Sequence, residues 1–155
     1  MFIFYSSKAW NKVKSNLLKV ANKSEVGGIL IGYKLLFAYI VVDVTVASSI
    51  EENKRFSFVL DGGYHMKQMD KIISKYQLPP LVIGLWHSHV NGIQTFSSQD
   101  IESNNIMARD FGNIISAIAT INLQSNQLDI STYFVQRDMD QKKCIAFMRR
   151  SNKVI

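Results

Sequence analysis

The 155-residue chain is poor in the residues that cross-link, break or anchor a protein. Its single cysteine, Cys144, excludes an intrachain disulfide and a zinc site built from cysteines. Two prolines and eight glycines leave no low-complexity linker. No apolar run reaches the roughly 18 residues a membrane helix needs. The opening MFIFYSSKAW lacks the basic start, apolar stretch and small-residue cleavage site of a secretory signal. The expectation from these absences is one domain over residues 1–155 in a reducing cytoplasm, with no membrane partner.

What is present is apolar and basic. Hydrophobic residues make up 47% and charged ones 19%, which excludes a disordered chain. The formal charge is +6. The C-terminal segment 136–155 carries Arg137, Lys142, Lys143, Arg149, Arg150 and Lys153 against Asp138 and Asp140. Residues 7–23 hold five lysines and no acid. The plain reading is a solvated basic face; nucleic acid or an acidic protein are the other takers of such charge.

Phe2 to Tyr5 reads as a strand, and residues 7–22 as a helix capped by Ser6 or Ser7, with Trp10, Val13 and Leu17 on its apolar face. Residues 26–46 are almost continuously apolar and read as two or three strands covered on both faces, with a turn near Gly32-Tyr33-Lys34. Arg55 to Leu60 reads as a further strand. A second helix is expected from Asp61 to about Tyr76, with Met66, Met69, Ile73 and Tyr76 inward. LVIGLW, 81–86, is a buried strand and 87–96 a loop. A third helix opens at Ser97 or Ser98 and ends before Gly112. Residues 114–121 and 128–135 read as a hairpin. The layout is mixed α+β, with helices on both faces of a sheet.

The chemistry is concentrated in WHSHVNGIQTFSSQD, residues 86–100. His87 and His89 stand two apart beside an apolar strand. In extended chain such residues share a side, about 6.6 Å apart along the strand. Asp100 follows in the first turn of a helix, whose dipole favours its ionised form. Two histidines, one carboxylate and an open position make a catalytic rather than a structural zinc site. No H-E-x-x-H and no P-C-x-x-C is present, so helix-borne metalloprotease and zinc-deaminase patterns are absent. No G-x-S-x-G elbow supports a serine hydrolase.

His87, His89, Ser97 and Asp100 are in register with H-x-H-x7-S-x2-D, and the pattern resembles the JAMM metalloprotease motif of MPN-domain proteins. That family also carries a glutamate before a glycine-marked strand, matched here by Glu25 in Ser24-Glu25-Val26-Gly27-Gly28. Many relatives have proline after the second histidine where this chain has Val90. The resemblance implies an MPN-type fold, one Zn2+ per chain on His87, His89 and Asp100, Glu25 as general base and proton donor, and Ser97 as oxyanion donor. It implies a zinc isopeptidase or peptidase that cuts after the C-terminus of a ubiquitin-like protein or of a conjugated protein. The compact chain is similar to the deconjugating peptidases of bacterial anti-phage operons, whose partners are adenylating and conjugating enzymes. The alternatives are a sulfur-carrier-processing enzyme and a non-catalytic MPN scaffold. DNA-repair-linked relatives continue H-P-S-G, whereas this chain has His89-Val90-Asn91-Gly92, which argues against nucleic acid.

Other candidates read blandly. His65 matches no motif and reads as structural or surface, Glu51 and Glu52 as solvated acids, and Cys144 as a buried small residue. Ser97 to Asp100 also fits a capping box, S-x-x-D. Asp100 is expected not to serve both cap and metal, which points to Ser98 as the cap. Gly27 and Gly28 leave room for a close-packed segment or a substrate backbone. Val90, Ile93 and Phe96, with Ile50 and Phe58 opposite, are expected to line a slot for an extended glycine-ended tail, or else to pin the loop to the core.

Overall fold

A strand that is apolar on both faces needs two covering layers, and GGILIGY receives them. The computed structural model describes residues 1–21, 23–47 and 62–136, and the backbone of 145–149. The elements run β1 (Phe2–Tyr5), α1 (Ser7–Val20), β2 (Gly27–Lys34), β3 (Ala38–Val44), α2 (Gly62–Ile73), β4 (Leu81–Ser88), α3 (Ser98–Phe111), β5 (Ile114–Asn122), β6 (Gln127–Gln136) and β7 (Ile145–Arg149). The strands form one seven-stranded mixed sheet in the order β1-β3-β2-β4-β5-β6-β7. β1 pairs parallel with β3, and β4 with β5; the remaining pairs are antiparallel. The expected α+β architecture is present.

Alternation along the strands separates the two faces. Ala9, Val13 and Leu17 of α1 pack on one face with Leu30, Val41, Trp86, Ile115 and Ala117. Each aliphatic side chain so buried contributes about 1.5–3 kcal/mol. Ile72 of α2 meets Ile29 and Ile31 on the other face, and Ala108 of α3 meets Ile114 and Val135. Trp86 is 1% exposed, and its indole N–H donates to the Thr45 carbonyl at 2.9 Å. That anchor holds β4 so that its neighbour His87 points to the α3 face. Lys8 and Lys12 of α1 are not simply solvated. Both ammonium groups lie 2.6 Å from the buried Asp43 carboxylate and clip the helix to β3.

Four expectations need correction. The β2–β3 turn falls at 35–37 rather than 32–34. Gly32 instead sits inside the ladder, where the register shifts and a Cβ would lie 1.9 Å from the Ile40 carbonyl oxygen. The second helix is rotated: His65 and Ile72 are buried and Met66 is exposed. The cause is polar, since His65 Nδ1 lies 2.6 Å from the Thr45 hydroxyl in the core. Met69 and Tyr76 do pack against Ile72's cluster. β4 continues through Ser88, because its pairing with β5 persists to His87 with Ile118 and Ser88 with Ala119. Helix α1 ends at Val20, with Ala21 in the left-handed region. The expected strand at Arg55–Leu60, the Asp61 cap, Ile50, Glu51, Glu52, Phe58, Cys144 and most of the basic segment 136–155 lie outside the described residues.

Gly84 tests how tightly the strand that carries His87 is fitted. A Cβ there would lie 1.7 Å from the Ile115 carbonyl oxygen, which is backbone and cannot yield cheaply. Gly84→Ala is expected to cost at least about 1–3 kcal/mol. The check is a urea titration, read as a lower midpoint at unchanged slope.

Candidate metal centre

Two strands and one helix end bring the site together. The β2–β4 register sets Gly27 opposite His87. Beyond it, Val26 N–H donates to Ser88 Oγ at 2.9 Å, and Ser88 N–H to the Val26 carbonyl at 2.7 Å. Continued one step, this antiparallel pairing sets Glu25 across from His89. Strand alternation then puts Glu25, His87 and His89 on one side of the sheet. The glycine pair is used as a close-packing device at Gly28, where a Cβ would lie 2.2 Å from the Thr45 carbonyl oxygen.

Helix α3 supplies the carboxylate. Ser97 is its N-cap, and Asp100 completes a capping box: Asp100 N–H donates to Ser97 Oγ at 3.2 Å, and Ser97 N–H to Asp100 Oδ2 at 2.7 Å. The Ser97 hydroxyl also donates to Oδ2, at 2.7 Å. The expectation that Ser98 caps the helix is therefore overturned. Asp100 can cap the helix and still face both imidazoles because a carboxylate has two oxygens and about four lone-pair sites. Oδ1 lies 3.2 Å from His87 Nε2, and Oδ2 lies 3.4 Å from His89 Nε2.

The two Nε2 atoms are 2.9 Å apart. Donors sharing one tetrahedral ion at about 2.0–2.1 Å would stand about 3.3 Å from one another. Each imidazole has a different Asp100 oxygen at 3.2 or 3.4 Å, and with one ligand atom from each residue the three atoms lie within 4.8 Å of one another, so His87, His89 and Asp100 form a possible metal-binding triad. The tautomer of His89 fits as well. Its Nδ1–H donates to the Ile93 carbonyl at 2.8 Å, so loss of the Nε2 proton shared with Asp100 would turn a lone pair toward the triad.

Charge in the site is strongly biased. Burial alone would push the Asp100 carboxyl up, but hydrogen bonds from His87, His89 and Ser97 hold it well below the usual carboxylate range. The hydrogen bond to Asp100 raises His89 against the opposing effect of burial. Burial raises Glu25, while His89 and His87 pull it partly back. Glu25 is 8% exposed and close enough to feel all three triad residues. All five residues expected from the sequence thus lie at one end of the sheet.

The loop 89–97 is held by residues the sequence did not mark. Gly92 has φ +73° and donates its N–H to the His89 carbonyl at 3.3 Å. Asn91 Oδ1 accepts from Ile93 N–H at 3.0 Å, which turns the Ile93 carbonyl back onto His89. Asn-Gly is a turn signal and could have been read so. Gln94 had no signal at all. Its amide N–H donates to Asp129 Oδ2 at 2.7 Å and Thr120 Oγ1 at 3.3 Å, Ser131 donates to its Oε1, and Tyr133 to its carbonyl. Phe96 lies between His87 and Tyr133, with ring centroids at 6.3 and 4.4 Å. For Phe96 the pinning alternative is therefore the observed one, while Ile93 stays exposed. His65 is buried and belongs to the core, as a structural reading requires.

No family model matches the chain, and no curated protein matches it in sequence. In fold the chain is similar to the solution structure of a protein from Desulfitobacterium hafniense, at 15% identity and a TM-score of 0.66. The match covers 99% of this chain and 91% of that one, so the likeness concerns the whole architecture.

The turn that orients His89 offers a test that spares all three triad residues. Gly92→Val places a β-branched residue at positive φ, which the turn disfavours. Divalent-metal affinity, measured by competition with a chromophoric chelator, is expected to fall about 10–100-fold. Asp100→Ala is expected to abolish binding under the same conditions.

Proposed function

We propose that the chain is a JAMM-type zinc hydrolase of MPN fold, cutting the peptide or isopeptide bond after the C-terminus of a ubiquitin-like protein. The observation that carries this reading is the placement of Glu25. A buried carboxylate two residues before Gly27 stands across from His89 and beside three convergent metal donors. That combination supports hydrolysis over metal storage or a structural role, because a structural site needs no spare base. Two neutral imidazoles and a carboxylate suit zinc among the divalent ions, with no thiolate required.

Zinc, when bound, would supply a Lewis acid and a water of lowered pKa. The chain's own residues would do the rest. His87, His89 and Asp100 hold the ion, and the capping box fixes Asp100 before any ion arrives. Glu25, with its pKa raised by burial, takes a proton from the attacking water and returns it to the leaving amine. Ser97 presents a hydroxyl at the helix N-terminus, where a developing negative charge is also favoured by the helix dipole. In the resting protein this hydroxyl donates to Asp100, so it must turn to reach an oxyanion.

The reading is tested with a ubiquitin-like protein fused to a reporter through its C-terminal glycine. The zinc-loaded chain is expected to release the reporter. Glu25→Gln is expected to keep one zinc per chain and lose about 10²–10⁴-fold in kcat. A zinc-loaded Glu25→Gln protein that cleaves at the wild-type rate would remove Glu25 from the chemistry. Ser97→Ala is expected to retain metal, lose about 10²–10³-fold in kcat, and lower stability by ~1 kcal/mol through the cap.

A further inference from the structure

A groove with uncommitted charge lies away from the triad. It measures about 420 Å3 and runs along α1, beside the chain that leaves β3. Lys8, Asn11, Lys12, Ser15, Asn16 and Lys19 form its helical wall, and the lining includes Val46. Positions three and four apart share one face of a helix, so these six make one stripe. Helix α1 covers the face of the sheet opposite to α3, which sets the groove apart from His87, His89 and Asp100.

The wall has more donors than it uses. Lys12 Nζ donates to Asp43 Oδ1 at 2.6 Å and to the Val44 carbonyl at 3.2 Å. Lys8 Nζ meets Asp43 Oδ2 at 2.6 Å and the Tyr76 hydroxyl at 3.4 Å. An ammonium group has three donors, so each lysine keeps one. Lys19 pairs with no acid among the described residues and keeps all three. Asp43 is the buried counter-ion of the first two, which leaves the three ammonium groups an excess of two positive charges. One acceptor is idle as well. Asn16 is 7% exposed, its Nδ2 donates to the Ala47 carbonyl, and its Oδ1 is buried with no partner. A buried amide oxygen without a donor is costly and rare.

We infer that this groove binds an acidic segment of another protein in extended conformation. Lys8 and Lys12 stand about 6 Å apart along the helix axis, and Lys8 and Lys19 about 16 Å. Alternate residues of an extended peptide share a side about 6.6 Å apart, so about six residues with an acid at every second position span the row. A peptide also carries backbone N–H groups, the donors that Asn16 Oδ1 lacks, whereas a phosphodiester backbone carries none. A single nucleic-acid strand is held on aromatic platforms, and among the described residues no aromatic side chain lines the groove. A duplex is entered by a protruding element rather than received in a depression. The inference does not rest on the hydrolase reading, since it uses none of that site's residues.

The probe is a fluorescein-labelled heptapeptide of alternating glutamate and threonine, titrated into the full chain and followed by fluorescence anisotropy. Saturable binding is expected, weaker at high salt. Lys19→Glu is expected to weaken it at least about fivefold. Lys71→Glu, an equal change of charge at an exposed position of α2, is expected to leave it within about twofold. The glutamine–threonine counterpart is expected not to bind. No binding by the wild type, binding of the glutamine peptide, or equal losses in Lys19→Glu and Lys71→Glu would overturn the proposal. Labelled octathymidylate that binds more tightly than the peptide and loses affinity in Lys19→Glu would make this a nucleic-acid site and overturn it too. Binding that appears only in a Glu51→Gln, Glu52→Gln variant would give the groove to the chain's own acids, with the same consequence. If charge reversal at the end of α1 unfolds the chain, Lys19→Gln decides in its place, with an expected loss of about threefold.

Discussion

The site depends on one carboxylate serving two masters. Asp100 closes the first turn of α3 through Ser97 and, with the same two oxygens, faces both imidazoles. The cap fixes the carboxylate, so a metal bound there would cost little further side-chain entropy. The helix dipole and the imidazoles both favour its ionised form. Because Ser97 is the cap, the hydroxyl nearest the triad is also the one that starts the helix. Chain folding and site assembly are therefore the same event at this point.

Around that carboxylate the sheet works as a positioning frame. Trp86 is buried on the α1 face, which commits His87 to the α3 face through the two-residue period of a strand. The Ser88 bonds to Val26 hold the segment carrying Glu25 against β4. On the far side, Gln94, Phe96 and Tyr133 tie the histidine loop to the β5–β6 hairpin. The loop is thus anchored at both ends and in its middle, as a site that must hold donor atoms near 3 Å apart requires.

The parts legible in the sequence are those with local causes. The H-x-H spacing, the S-x-x-D cap and the apolar face of α1 are short-range patterns with fixed periods, and each appears where its period placed it. The parts that failed have non-local causes. Leu35-Leu36-Phe37 carries no turn chemistry, yet the chain turns there because Gly32 is needed inside the ladder. The rotation of α2 follows from a bond between His65 and Thr45, twenty positions away. Gln94 finds its partners on a hairpin 26 to 39 residues on. Glu25 came from a resemblance alone, since its nearness to His89 rests on strands more than sixty residues apart.

X-ray absorption at the zinc edge of the loaded protein tests the central claim most directly, because it reads the donor atoms themselves. The account predicts two imidazole nitrogens at about 2.0–2.1 Å and light oxygen donors at about 2.0–2.2 Å, four in all. A sulfur shell at about 2.3 Å would place the ion on Cys144, and a six-coordinate all-oxygen shell would place it on surface acids. Either spectrum would contradict the assignment of His87, His89 and Asp100.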